Sequence, residues 1–185
     1  MNRGVVLCGG MSKRMGSDKG LLIIDQKTWA EHAAAKLKNL QIPVVISINQ
    51  GQKNYYKGVF DEHKLVLDRV NVNGPLNGIL SVHLEYPDDD LLVLACDMTE
   101  MDVQTLQHLK DCAITFPDFE YYAYTGEEFI EPLCALYKAK VLNKLYHDVQ
   151  SGQCRTYSLN RIIQQGCHKF IPIVDQGCFK NYNTL

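Results

Sequence analysis

Near the N-terminus the chain runs Gly4-Val5-Val6-Leu7-Cys8-Gly9-Gly10-Met11-Ser12-Lys13-Arg14-Met15-Gly16-Ser17-Asp18-Lys19-Gly20-Leu21-Leu22. Val5 to Cys8 is a short, β-branched-rich apolar run stopped by two glycines, the pattern of a buried central strand in an α/β sheet. Gly9 and Gly10 lack a Cβ, so the backbone can bring consecutive N–H groups within reach of a bulky anion. Lys13, Arg14 and Lys19 add three cations within seven residues, and Gly16 keeps the middle of the segment pliable. A phosphate loop and a basic, solvated surface loop would have the same composition, and glycines and charges alone leave both readings of the segment open. It is not a Walker loop: five residues separate Gly10 from Gly16 and no Gly-Lys-Ser/Thr follows, and Gly-x-Gly-x-x-Gly is absent.

The rest of the chain continues as alternating strands and helices. Trp29, Ala30, Ala33, Ala34, Leu37 and Leu40 recur at helical spacing behind Thr28, which serves as N-cap. Val44 to Asn49 and Leu65 to Asp68 read as strands ending in polar groups, with a loose helix between them over Gln50 to Gly58 and a strand and turn over Leu21 to Lys27. Asn73-Gly74-Pro75-Leu76-Asn77-Gly78 then breaks the chain before a helix that runs to about Tyr86. Leu91 to Cys96 is the most uniformly apolar run, suited to a strand buried on both faces, and it ends in Asp97. A carboxylate there faces solvent or a cation, because unpaired burial would be costly. Asp102 and Thr99 are better placed to cap the next helix. Tyr121–Tyr124 and Phe129–Tyr137 read as strands, Pro132 pushing the second to an edge or a bulge. Helices over Val141–Gly152 and around Leu159–Ile163 precede a last strand, Phe170–Val174. Ligands of open α/β sheets bind outside the carboxyl ends of the strands. Ser47, Asn49, Asp68 and Asp97 all stand at such ends.

A chain of 185 residues with 46% hydrophobic content is long enough for one domain with a full core. The formal net charge of −2 makes no case for nucleic acid. Seven scattered cysteines, without a Cys-x-x-Cys pair, read as small hydrophobes in a reducing compartment rather than as a disulfide or zinc framework. No basic leader with an apolar core and no apolar run of membrane-spanning length is present, which points to a cytoplasmic protein with no membrane partner.

The run Leu7-Cys8-Gly9-Gly10-x-Ser12-x-Arg14-Met15-Gly16-x-Asp18-Lys19-x-Leu21-Leu22 resembles the signature of the molybdenum cofactor guanylyltransferases, a branch of the nucleotidyltransferases, with Cys8 where the family usually has Ala. Asp68 followed by Gly74-Pro75-Leu76-x-Gly78, Cys96-Asp97, the Glu131-Pro132-Leu133 segment and the terminal Phe179-x-Asn181-x-Asn183-Thr184 resemble further motifs of that family in the same order. The resemblance implies a three-layer α/β/α sandwich around a mostly parallel, Rossmann-like sheet, forming one nucleotidyltransferase domain over residues 1–185. It implies a transfer of GMP from GTP to the phosphate of molybdenum-bound molybdopterin, releasing pyrophosphate. Leu7, Cys8, Gly9, Gly10, Lys19, Ser47, Asn49, Asp68, Gly74 and Asp97 would bind GTP. Arg14, Lys19 and Asp97 would carry catalysis, Asp97 would hold Mg²⁺, and Asn181 and Asn183 would meet the pterin. A molybdoenzyme or its chaperone would receive the product. A related transferase using CTP or a sugar phosphate, and a nucleotide-binding protein without turnover, are the alternatives.

Overall fold

The computed structural model describes residues 1–9, 18–127 and 129–180. Among them a seven-stranded sheet has the order β5-β4-β1-β6-β8-β7-β9. Its strands are β1 (Asn2–Leu7), β4 (Val44–Ile48), β5 (Leu65–Leu67), β6 (Asp90–Ala95), β7 (Tyr121–Thr125), β8 (Ile130–Tyr137) and β9 (His168–Pro172). The four strands β5, β4, β1 and β6 are parallel, β8 runs against β6 and β7, and β9 is parallel to β7.

Period-two alternation feeds two cores. Val6, Ile46, Leu92, Leu94 and Leu136 face one side, where α1 (Trp29–Lys38) and α4 (Val103–Thr115) cover them with Ala30, Ala34, Leu37, Leu106 and Leu109. Val5, Leu7, Val45, Leu91 and Val93 face the other, under α3 (Pro75–Glu85), α5 (Ala139–Gln150) and α6 (Leu159–Gln165). The result is the expected three-layer sandwich. Leu91 to Leu94 are 0% exposed, as a strand covered on both faces requires. The chain leaves β1 through α1 to one flank and returns through α3 to the other. The topological switch point, where ligands of such sheets bind, therefore lies between the carboxyl ends of β1 and β6.

Local signals fix several boundaries. Thr28 and Glu31 form a complete capping box at α1, and Asp102 caps α4 by accepting the Thr105 N–H at 2.6 Å. The strand and turn expected over Leu21 to Lys27 are present, preceded by a 3₁₀ turn over Lys19–Leu21 that starts where the Asp18 carboxylate accepts the Gly20 N–H. A two-residue hairpin follows, β2 (Ile23–Ile24) against β3 (Lys27–Thr28), turning at Asp25 and Gln26, both at positive φ. The loose helix over Gln50–Gly58 resolves into a 3₁₀ turn, Gln50–Gln52, and one α turn, α2 (Lys53–Tyr56).

Pro132 lies within β8. Its strand is not at an edge but lies between β6 and β7. The bulge half of the expectation is what occurs: Ala123 faces Ala135 while the next residue, Tyr124, faces Glu131. Residues 132–134 are thus looped out on the β7 side, where a missing N–H leaves no ladder bond unmade. The Pro132 carbonyl accepts the Tyr137 hydroxyl at 2.7 Å and holds the bulge in place.

Candidate functional site

The carboxyl ends of β5, β4, β1 and β6, with the amino end of the antiparallel β8, bring together residues far apart in sequence. Lys19 Nζ donates to Asp97 Oδ2 at 3.2 Å across the switch point. Both side chains remain partly open to solvent, at 17% and 21%. A lysine delivered by the glycine-rich segment thus meets the carboxylate that follows the central strand. Asp97 is anchored from behind by the turn it begins: the Met98 N–H bonds to Ala95, the Met101 N–H to Met98, and Lys36 of α1 donates to the Thr99 carbonyl.

On the other side of β1, Asp68 lies against the backbone of Gly9, with Oδ2 3.1 Å from where a Cβ on Gly9 would stand. Ser47 Oγ donates to Asp68 Oδ1 at 3.5 Å, and Gly78 of α3 leaves room for both. A Cβ on Gly78 would come to 2.4 Å from Ser47 Oγ and 3.4 Å from Asp68 Oδ1. Burial pushes the Asp68 carboxyl up to about 6, and the Ser47 hydrogen bond opposes that rise only in part. Ser47 itself is 0% exposed, so it supports Asp68 from below the surface. The Asn49 side chain is committed to the turn after β4, where its Oδ1 accepts the Gln52 N–H at 3.2 Å. Gly74 has φ +83°, a conformation that favours glycine, and stands as the N-cap of α3 with open space around its α-carbon. Asn77 and Ser81 hold the connection from Asp68 to Gly74, accepting the N–H groups of Val70 and Arg69.

Leu7, Cys8, Gly9, Lys19, Ser47, Asn49, Asp68, Gly74 and Asp97 are all placed at or just beneath this edge. Gly10, Arg14, Asn181 and Asn183 lie outside the described residues. Cys8 and Cys134 are buried, and burial holds both thiols well above the ordinary thiol range, so neither supplies a thiolate nucleophile.

Three residues of the site carry no motif that sequence reading singles out for a role. Glu131 opens β8 beside Asp97; it is 7% exposed, and burial, reinforced by the Asp97 charge, pushes its carboxyl up. Its Oε1 accepts the Leu133 N–H at 3.4 Å. In the sequence Glu131 stands in the Glu131-Pro132-Leu133 segment, whose resemblance to a family motif assigns the acid no role. Gln52 and Tyr56, on the turn after β4, reach Asp18 at 2.7 and 3.1 Å. Nothing in a polar, aromatic segment announces such a contact.

The donor set at Asp97 fits a hard divalent cation. Among the described residues no group of three His, Cys, Asp or Glu side chains could cage a metal. Mg²⁺ does not need such a cage, since it prefers one or two carboxylates with phosphate oxygens and water. A partly exposed carboxylate at a rigid strand end, in contact with Lys19, is that kind of partial site. Among the described residues this edge presents no activated nucleophile, which suits transfer between two bound substrates.

The comparisons with known proteins agree with this geometry. Residues 4–168 match the family model described as MobA-like NTP transferase domain. A probable molybdenum cofactor guanylyltransferase of Methanothermobacter thermautotrophicus is 34% identical over 74% of this chain and 71% of its own length. The molybdenum cofactor guanylyltransferase of Haemophilus influenzae is 30% identical over 98% of this chain and 92% of its own. Among solved structures, the molybdopterin-guanine dinucleotide biosynthesis protein A of Archaeoglobus fulgidus superposes with a TM-score of 0.79 at 18% identity, covering 98% of this chain and 92% of that one, a likeness of fold. With its sheet order, its lysine–aspartate contact at the switch point and these relatives, the chain belongs to the MobA-like NTP transferase family, among the molybdenum cofactor guanylyltransferases.

Proposed function

We infer that this chain transfers GMP from GTP to the terminal phosphate of molybdenum-bound molybdopterin, forming the guanine dinucleotide cofactor. An oxygen of the acceptor phosphate bonds to the α-phosphorus of GTP, and the bond from that phosphorus to the bridging oxygen of the β-phosphate breaks, so pyrophosphate leaves. The acceptor oxygen is already ionised, so the protein has no nucleophile to activate. Its work is alignment and charge stabilisation. The observation that carries the reading is the meeting of Lys19 and Asp97 at 3.2 Å across the switch point, in a chain whose curated relatives bear this activity in their names.

In this reading the backbone at Cys8, Gly9 and Gly10 cradles the phosphates, and Arg14 and Lys19 neutralise them. Leu7, Asp68 and Gly74 line the nucleotide side, and Ser47 and Asn49 shape it from beneath. Asp97 holds Mg²⁺, which when bound offsets negative charge on the triphosphate and on the departing pyrophosphate. Lys19 then exchanges its contact with Asp97 for one with phosphate. Asn181 and Asn183 face the pterin. In support, the residues just before them are pinned near the carboxyl end of β7: Cys178 Sγ donates to Asp102 Oδ2 at 3.0 Å, and the Phe179 ring packs on Tyr124 with centroids 5.0 Å apart. Seven free cysteines suit a reducing cytoplasm, and no described helix is long and apolar enough to cross a membrane. A molybdoenzyme or its chaperone takes up the product.

Pyrophosphate release, measured with Mg²⁺, the molybdenum-bound pterin and each of GTP, CTP and ATP in turn, tests the assignment. Steady release with GTP well above that with CTP is expected. Equal or faster release with CTP would make the protein a cytidylyltransferase, and binding of GTP without release would make it a binding protein.

A further inference from the structure

The turn after β4 does more than connect two strands. The Asp18 carboxylate takes three donors: the Gly20 N–H at 3.0 Å and the Tyr56 hydroxyl at 3.1 Å on one oxygen, and Gln52 Nε2 at 2.7 Å on the other. The same Gln52 nitrogen donates to the Cys8 carbonyl at 2.9 Å, while its Oε1 accepts the Asn49 N–H at 2.8 Å. Both N–H donors of that amide are thereby used and its oxygen is engaged, an arrangement only one orientation of the amide satisfies. Gln52 is 8% exposed and Tyr56 0%. Burial, reinforced by nearby acidic groups including Asp18, holds the Tyr56 hydroxyl far above its ordinary pKa, so it stays a donor. Gly20 admits the hydroxyl: a Cβ there would stand 2.1 Å from Tyr56 Oη.

Cys8 and Asp18 are the two ends of the glycine-rich phosphate segment, and one side-chain nitrogen joins them. Lys19, the residue after Asp18, is the one that meets Asp97. We propose that Gln52 and Tyr56 are positioning residues of the transfer reaction: they clamp both ends of the phosphate segment to the turn after β4 and so fix where Lys19 presents its charge. Neither touches the reacting atoms; they act through Asp18. The proposal rests on the reading of GTP as donor.

The test compares wild type with Tyr56→Phe, Gln52→Glu, Asp18→Asn and the double variant Gln52→Glu/Asp18→Asn. Initial rates of pyrophosphate release against GTP concentration give KM and kcat, calorimetric titration with GTP and Mg²⁺ gives Kd, and all assays run well below each melting temperature. Gln52→Glu sets two carboxylates against each other and should raise KM and Kd for GTP roughly tenfold, the scale of one lost charge-assisted hydrogen bond, with a smaller change in kcat. Tyr56→Phe, which keeps the ring, should raise both by a few-fold and carries the test if Gln52→Glu does not fold. Adding Asp18→Asn to Gln52→Glu restores a donor–acceptor pair and should recover much of the lost affinity, a rescue that general destabilisation would not give. Unchanged KM and Kd in folded variants, or a double variant as weak as the two single losses multiplied, would overturn the clamp. If wild type binds GTP without releasing pyrophosphate, the transfer reading fails while Kd still decides the clamp. If it binds no GTP, both fall.

Discussion

The two edges of the sheet treat their acids differently. At the amino edge, Asp89 is 8% exposed and its Oδ2 lies 2.8 Å from Arg3 Nε, with the guanidinium stacked 3.4 Å from the centre of the Tyr86 ring. Next to it, Asp90 takes Lys138 Nζ at 2.6 Å on one oxygen and the Ala139 N–H, at the start of α5, at 2.9 Å on the other. Each of these acids meets a cation at close range, and Asp90 also lies on the positive end of a helix. At the carboxyl edge, Asp68 and Glu131 are held where burial works against their charge, and Asp97 shares its contact with a lysine that arrives from the phosphate segment. Acids that hold the fold together are satisfied by it. Asp68 and Glu131, at the carboxyl edge, are instead kept buried at a cost the fold absorbs elsewhere, the pattern expected where a site departs from local consistency.

The sharpest way to break that contrast is Asp97→Asn. The carboxyl-edge role predicts a loss of roughly a hundredfold or more in Mg²⁺-dependent pyrophosphate release, about 2.7 kcal/mol of barrier, with the melting temperature held or raised. Release curves against Mg²⁺ concentration that overlay wild type would place Asp97 with the structural acids.

Arg3→Met is the mirror experiment at the amino edge. It leaves the largely buried Asp89 without its nearest cation and should cost about 2 kcal/mol of stability, a fall of roughly 4–8 °C in melting temperature. Turnover at 25 °C should stay within twofold of wild type. An unchanged melting temperature would show that the pair is only a surface contact.

The smallest effect has the most specific pH signature. Asp68 is raised to about 6 in the folded chain from an ordinary value near 4, so between those values the native state binds more protons than the unfolded one. Its contribution is therefore present at acid pH, falls as pH rises through that window, and is level above about 6. Asp68→Asn removes the titration, so the variant should gain on wild type across pH 4 to 6 and hold about 1–2 kcal/mol above it, the figure being reduced for the water that still reaches the group. Urea unfolding at pH 4.5, 6 and 7.5 reads the difference. A constant offset across the three would mean that Asp68 is not held at a cost.

Much of this protein is set by local sequence. The apolar runs ending in Gly9, Asn49, Asp68 and Asp97 name four strands of a mostly parallel sheet and their ligand edge. Thr28 names one helix start and Thr99 or Asp102 a second, because a strand's apolar run and a helix's cap each depend on residues a few positions apart. Sequence alone did not decide where Pro132 sits, since a bulge in a central strand and an unpaired edge both spare its missing N–H, and only the packing of β6 and β7 on either side of β8 selects between them. Nor did it mark Ser47 as a buried support, Glu131 as a neighbour of Asp97, or Gln52 and Tyr56 as partners of Asp18. Those contacts join residues 21 to 38 positions apart in the chain. They exist because the sheet brings strand ends together, and no periodicity or cap written into a local segment can specify a partner at that distance.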